Sequence, residues 1–121
     1  MSNHLPDLPG SVTVTVCDGV QVVAVFGEID EYNIDPIRTA LDLSSPAVVL
    51  DLCAVTFFGS AGLALLVECQ QEAEHNDTVF VIAAAQRAIL RPLGVTGVDQ
   101  MILRYDAAPE ALAAVRTLLV G

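Results

Sequence analysis

The chain has 121 residues, of which 54% are apolar, and a formal net charge of −10 from fifteen acidic and five basic side chains. This length fits one domain around a single core. So acidic a surface repels phosphate backbones, which excludes nucleic acid as a direct partner. The N-terminus lacks the order of a signal peptide and no apolar run is long enough to span a bilayer, so we expect a cytoplasmic protein without a membrane partner.

The first elements form a hairpin. Residues 1–10 contain two prolines and a glycine with little periodicity, which predicts a flexible N-terminal arm before an ordered domain at 11–121. From Val12 to Cys17, valine alternates with threonine or cysteine, a pattern typical of a half-buried strand. Asp18-Gly19 then predicts a tight turn into an antiparallel second strand over residues 20–26.

An acidic segment ends the second strand and precedes a first helix. It holds Glu28, Asp30, Glu31 and Asp35, in a spacing that does not fit a calcium-binding loop. Asn33 or Asp35 is suited to cap a helix that runs to about Leu43, so we favour capping and solvation over metal binding.

The remaining chain alternates strands with helices. Strands are predicted at 47–52, 79–83 and 101–104, and helices at 60–75, 86–91 and 108–119, with the second of these helices ending around Pro92. The order is β-β-α-β-α-β-α-β-α. Right-handed crossovers would make the later strands parallel, which predicts an α/β domain with one mixed sheet flanked by about four helices.

The turn Gly59-Ser60-Ala61-Gly62 joins a buried strand to the second helix. It places one hydroxyl beside unpaired backbone N–H groups, a favourable position for an anion. Ser60 has two interpretations, as a helix N-cap or as a phosphate acceptor. The first turn of the helix contains no acidic residue, so its positive end is not neutralised.

The sequence contains no set of residues typical of a catalytic site. The two histidines are poorly placed to activate a serine, the chain has no lysine, and the G-x-S-x-G motif is missing. We therefore expect no enzyme activity, cofactor or metal site. The three cysteines form no C-x-x-C pair, and Cys17 and Cys69 fit buried, inert thiols. Thiol-based control through Cys53 or Cys69 is an open alternative.

The segment from Asp51 to Leu63, together with Gly27-Glu28-Ile29-Asp30, resembles the STAS domain of bacterial anti-sigma factor antagonists, and the resemblance covers residues 11–119. It implies partner switching. The unphosphorylated antagonist would bind an anti-sigma factor that is also a Ser/Thr kinase of the ATPase-kinase fold, and so free a sigma factor. Phosphorylation would abolish binding, and a PP2C-type phosphatase would restore it.

The same resemblance assigns roles to residues. Ser60 would be the phosphoacceptor, in a partner-binding surface that also includes Glu28, Asp30, Gly59, Ala61, Gly62 and Ala64. The family usually has Asp immediately before the acceptor, where this chain has Gly59. That departure favours an alternative in which the domain is a scaffold that binds without phosphorylation. A ligand-sensing module is a further alternative, but it needs a polar pocket, and the strands offer mostly Val, Leu and Ala. We expect a monomer or weak dimer.

Overall fold

The computed structural model describes residues 11–120, so the predicted arm at residues 1–10 and the terminal Gly121 lie outside it. The order of strands and helices is the predicted one, with a short 3-10 helix added at Val98–Gln100. The elements are β1 (Ser11–Cys17), β2 (Val20–Ile29), α1 (Ile34–Ala40), β3 (Ala47–Phe58), α2 (Ser60–Asn76), β4 (Val79–Ala83), α3 (Arg87–Thr96), β5 (Leu103–Tyr105) and α4 (Ala108–Val120).

The strands form one mixed sheet in the order β1-β2-β3-β4-β5. β1 is antiparallel to β2, and the other three pairs are parallel. In the central strand, Val49 lies between Val22 of β2 and Val81 of β4. The predicted arrangement, an antiparallel edge on an otherwise parallel sheet, is therefore confirmed.

Both faces of β3 are covered. Val48, Leu50 and Leu52 point into a large cluster that includes buried residues of α1, α2 and α3, whereas Ala47 and Val49 face a smaller cluster under α4. Each of these five side chains is at most 1% exposed. The nearly continuous apolar run predicted this environment, because a strand buried on both faces does not alternate.

β2 and β3 both run beyond their predicted ends at Phe26 and Leu52. They pair as far as Ile29 and Phe58, through two register irregularities. Gly27 in this stretch has a φ of 88°, a conformation that side chains disfavour. β4, by contrast, leaves β3 at Asp51. The last part of β3 therefore projects past β4 with β2 along one side only.

Gln86 closes the other side of this projection. Its Nε2 donates hydrogen bonds to the carbonyls of Leu52, at 2.6 Å, and Val55, at 2.9 Å. Its Oε1 accepts from the backbone N–H of Ala85 at 3.1 Å. Because Gln86 immediately precedes α3, these bonds hold the start of that helix against β3.

The prediction that α3 ends around Pro92 is wrong, since the helix continues through the proline to Thr96 and ends at Gly97, which has a φ of 78°. Proline removes one helical hydrogen bond. Ile89 and Leu93, each at most 1% exposed, flank it and pack into the core, which outweighs that loss.

The first helix is shorter than predicted, ending at Ala40 and not near Leu43. Buried Gln21 explains the early end, because its amide donates to the Ala40 carbonyl at 3.1 Å and accepts from the N–H of Asp42 at 2.9 Å. β5 also begins two residues later than predicted.

The outer strand is more exposed than its alternation predicts. Val12 packs against the main cluster, but Val14 is 47% exposed and Val16 is 69% exposed. In α4, Ala111 and Val115 are buried as one face, while Leu118 at the end of that face is exposed. Among residues 11–120, the helices cover the centre of the sheet and leave Val14 and Val16 of the edge strand β1 exposed.

We expect Gln86→Ala to destabilise the fold by about 1–3 kcal/mol, because the carbonyls of Leu52 and Val55 lose their donor. Urea denaturation measures this change. Gln71→Ala, which removes an exposed amide from α2, is the matched control and should change stability by less than about 0.5 kcal/mol. Equal stability of the two variants would contradict the structural role of Gln86.

Candidate functional site

The strand-to-helix turn places Ser60 at the surface. Gly59, and not Ser60, occupies the N-cap position of α2, with φ −85° and ψ −176°, and no side chain caps the helix. The N-cap interpretation of Ser60 is therefore wrong. Ser60 is the first helical residue and is exposed, and its hydroxyl has no hydrogen-bond partner within residues 11–120.

The last residues of β2 and the loop that follows them lie directly beside this turn; together they are called the Glu28–Asp30 loop. Glu28 pairs with Phe57 and Ile29 with Phe58, and the Gly59 N–H donates to the Ile29 carbonyl at 2.9 Å. The strand pairing thus brings the two segments that the sequence singled out, around residues 28–30 and 59–61, into one surface at the carboxyl ends of β2 and β3.

Asn33 fixes the shape of this loop. It precedes α1 but makes no capping hydrogen bond, contrary to prediction. Its side chain accepts from the N–H of Asp30 at 2.9 Å and donates to the carbonyl of Glu28 at 2.7 Å. The Asp30 carboxylate accepts from the N–H of Tyr32 at 2.9 Å. Tyr32 is 89% exposed and stands as a large aromatic group on the loop.

The other predicted contact residues differ in exposure. Ala64 is exposed and Ala61 is half-buried, so small side chains border Ser60 along α2. Gly62 is buried under the ring of Phe58. A Cβ atom on Gly62 would lie 2.6 Å from Phe58 Cε1, too close for any real contact. Gly62 thus has a structural role, allowing α2 to approach the end of β3.

A cleft on the other side of the turn was missed by sequence reasoning. It has a volume of about 420 Å³ and lies between the end of β3 and α3, lined by Thr56, Phe57, Phe58, Arg87, Ala88, Arg91 and Pro92. The two arginines are four residues apart, and no acidic residue lies three or four positions from either within the helix. In so acidic a chain, this pair of arginines without an acidic neighbour on the helix is the sequence pattern that indicates the cleft.

The thiols of Cys53 and Cys69 are poorly suited to ionise. Burial raises the pKa of Cys69 to about 12, with the Glu72 and Glu68 carboxylates adding to the shift. Partial burial and the Asp51 carboxylate raise the pKa of Cys53 to about 11. Reactive cysteines have lowered pKa values, so both shifts disfavour thiol-based control.

Within residues 11–120, no group of three or more His, Cys, Asp or Glu side chains is arranged to hold a metal ion. No helix there is long and apolar enough to cross a membrane.

Comparisons with known proteins agree with the geometry. The STAS domain family matches residues 11–111. The anti-sigma-F factor antagonist RsfB of Mycobacterium tuberculosis is 33% identical over 114 residues, which cover 89% of this chain and 93% of the relative.

Solved structures match over nearly the whole domain. An anti-sigma factor antagonist from Mycobacterium paratuberculosis is 37% identical with a TM-score of 0.80, covering 91% of this chain and 98% of that one. An anti-sigma-factor antagonist (STAS) domain protein from Planctomyces limnophilus is 28% identical with a TM-score of 0.74, covering 86% and 96% of the two chains.

We expect Gly62→Ala to destabilise the protein by about 1–3 kcal/mol, because the buried Phe58 ring has to move. Gly94→Ala is the matched control, since an added Cβ on this exposed helical glycine meets only Asp99 Oδ2 at 3.9 Å. It should stabilise the helix by up to about 1 kcal/mol. Thermal denaturation gives the melting temperature of both variants. A change of the same sign in both melting temperatures would contradict the structural role of Gly62.

Alkylation with iodoacetamide tests the Cys53 environment. The thiolate is the reactive form, and raising the pKa from the ordinary value of 9.0 to about 11 lowers the thiolate population about a hundredfold near pH 8. The rate at Cys53, followed by peptide mass spectrometry, should rise about tenfold per pH unit and level off only near pH 11. A plateau near neutral pH would instead indicate a reactive, regulatory thiol.

Proposed function

This chain belongs to the STAS domain family, and from that premise we propose that it is an anti-sigma factor antagonist that switches partners. In its unphosphorylated form it binds an anti-sigma factor that is also a Ser/Thr kinase of the ATPase-kinase fold, and a sigma factor is released. Phosphorylation of Ser60 ends this binding, and a PP2C-type phosphatase reverses the modification. The role is regulatory and not catalytic.

The position of Ser60 is the main support for this proposal. Ser60 is an exposed hydroxyl at the first position of α2, without a hydrogen-bond partner in the described chain, beside the Glu28–Asp30 loop. A kinase needs an accessible hydroxyl, and a partner needs an adjoining surface on which to dock. The relatives named above are anti-sigma factor antagonists, which supports the choice of partner.

The switch would act through charge at the interface. A phosphate adds about −1.5 to −2 charges, and a partner docked on Ala61 and Ala64 would have to strip water from it. Exposed Glu28 at the end of β2 and exposed Glu31 in the loop after it already place negative charge beside Ser60, so the added charge increases local repulsion. Within the chain, the same phosphate is favourably placed, because it meets the free N–H groups and the positive end of the α2 dipole.

Gly59 favours a second candidate function, a scaffold that binds its partner without phosphorylation. The chain lacks the Asp that the family resemblance leads us to expect at this position. Incubation with the anti-sigma factor kinase and ATP, followed by intact-mass measurement, separates the two functions. A phosphate on the wild type and none on Ser60→Ala supports the switch, whereas an unmodified wild type supports the scaffold.

We expect Ser60→Glu to weaken anti-sigma factor binding about a hundredfold, and Ser60→Ala to retain it. The anti-sigma factor is identified by co-purification from the native cell and then titrated calorimetrically as a purified protein. Ser60→Glu should also raise folding stability by about 0.3–1 kcal/mol through the helix dipole, which separates loss of binding from loss of folding.

Gln100→Glu, which adds the same charge in the exposed 3-10 helix, is the control for net charge and should leave the affinity unchanged. Equal affinities of Ser60→Glu and Ser60→Ala would contradict the charge switch.

A further inference from the structure

The arginines of this chain fall into two groups. Arg38, Arg104 and Arg116 each have a carboxylate partner, at 2.9, 2.7 and 3.0 Å respectively. Arg87 and Arg91 have no carboxylate within 4 Å anywhere in the part of the chain that the structure describes. The two cations without a partner line the same cleft, although acidic residues outnumber basic ones threefold. This cleft is therefore positively charged, although the chain as a whole carries a net charge of −10.

The cleft is continuous with the Ser60 turn. Phe57 lines it and is 52% exposed, and the same ring lies beside Gly59, where an added Cβ would be 3.2 Å from Phe57 Cε2. Gln86 holds the start of α3 against β3, which fixes the distance between the arginines and the turn. The surface around Ser60 therefore has the acidic residues Glu28 and Glu31, at and just after the end of β2, on one side and a positive, partly apolar cleft on the other.

We propose that this cleft receives a carboxylate side chain, next to an apolar one, from the protein partner that docks at Ser60. The inference rests on the proposed function, because it concerns the same partner. Guanidinium groups pair with carboxylates in a fixed planar geometry, and arginine and aromatic residues are enriched at the centres of protein interfaces. Phe57, Ala88 and Pro92 supply the apolar wall.

The charges on the two sides of the turn also set the orientation of the partner. A partner that presents basic groups to the Glu28 loop and an acidic group to the cleft is attracted in one orientation and repelled in the reverse. An acidic group alone would be repelled by the net charge of −10, so the partner must be basic elsewhere on its docking face.

The test measures binding of the purified anti-sigma factor to Arg87→Gln, Arg91→Gln and the double variant. Each single change should weaken binding about tenfold, and the double variant should show a shallower dependence of affinity on salt. Arg116→Gln, which removes the same charge from α4, is the matched control and should bind like the wild type. Circular dichroism verifies that all variants fold.

A second measurement identifies the group in the cleft. Surface Asp and Glu residues of the anti-sigma factor are changed to Asn and Gln in turn, and each is combined with Arg91→Gln. One partner carboxylate should lose its effect in the Arg91→Gln background, as a double-mutant cycle requires of interacting groups. Absence of any coupled carboxylate would overturn the proposal.

The outcomes separate the two proposals. If the wild type binds the anti-sigma factor and Ser60→Glu weakens binding, but the arginine variants bind normally, the cleft proposal alone fails. If those variants instead lose only an NMR response to added inorganic phosphate, the cleft is a small-anion site and the proposal is likewise overturned. If the wild type binds no anti-sigma factor, both proposals fall together.

Discussion

The parallel pairing of β2 with β3 past the end of β4 is the constraint on which the candidate site depends. It brings the Glu28–Asp30 loop against the Ser60 turn, and the bond from the Gly59 N–H to the Ile29 carbonyl fixes the point where α2 begins. On the other side of β3, no strand pairs with the carbonyls of Leu52 and Val55, and the side chain of Gln86 donates hydrogen bonds to both. One strand extension thus determines where the hydroxyl, the acidic loop and the arginine cleft lie relative to one another.

Packing around this extension leaves little freedom. Phe58 is buried and lies against Gly62, so the end of β3 and the first turn of α2 move only together. Asn33 likewise ties Glu28 to Asp30 across the loop. The groups at the surface are therefore held by buried or hydrogen-bonded residues behind them, which lowers the entropy that a partner must remove when it binds.

The sequence was sufficient for the order of elements and the sheet arrangement, because alternation, apolar runs and turn residues are local patterns. It also located Ser60 and the loop beside it. It missed the extension of β3, because residues 53–58 neither alternate regularly nor are buried throughout, with only Val55 and Phe58 buried. The hydrogen bonds that support this stretch come from Gln86, far along the chain. The prediction that α3 ends around Pro92 is wrong for a related reason, because burial of Ile89 and Leu93 outweighs the local tendency of proline to end a helix. Which arginines lack a partner is a tertiary property, visible only once the carboxylates are placed.

The bare edge at β1 affects how copies of the protein meet. Sheet edges are commonly protected by charged residues and proline. The edge strand Ser11–Cys17 contains neither, and it exposes Val14 and Val16. Long-range repulsion between copies that each carry a charge of −10 opposes contact at this edge. That repulsion is screened within about 10 Å at 0.1 M salt. We therefore expect contacts between copies through the exposed valines of β1 to become more favourable as ionic strength rises.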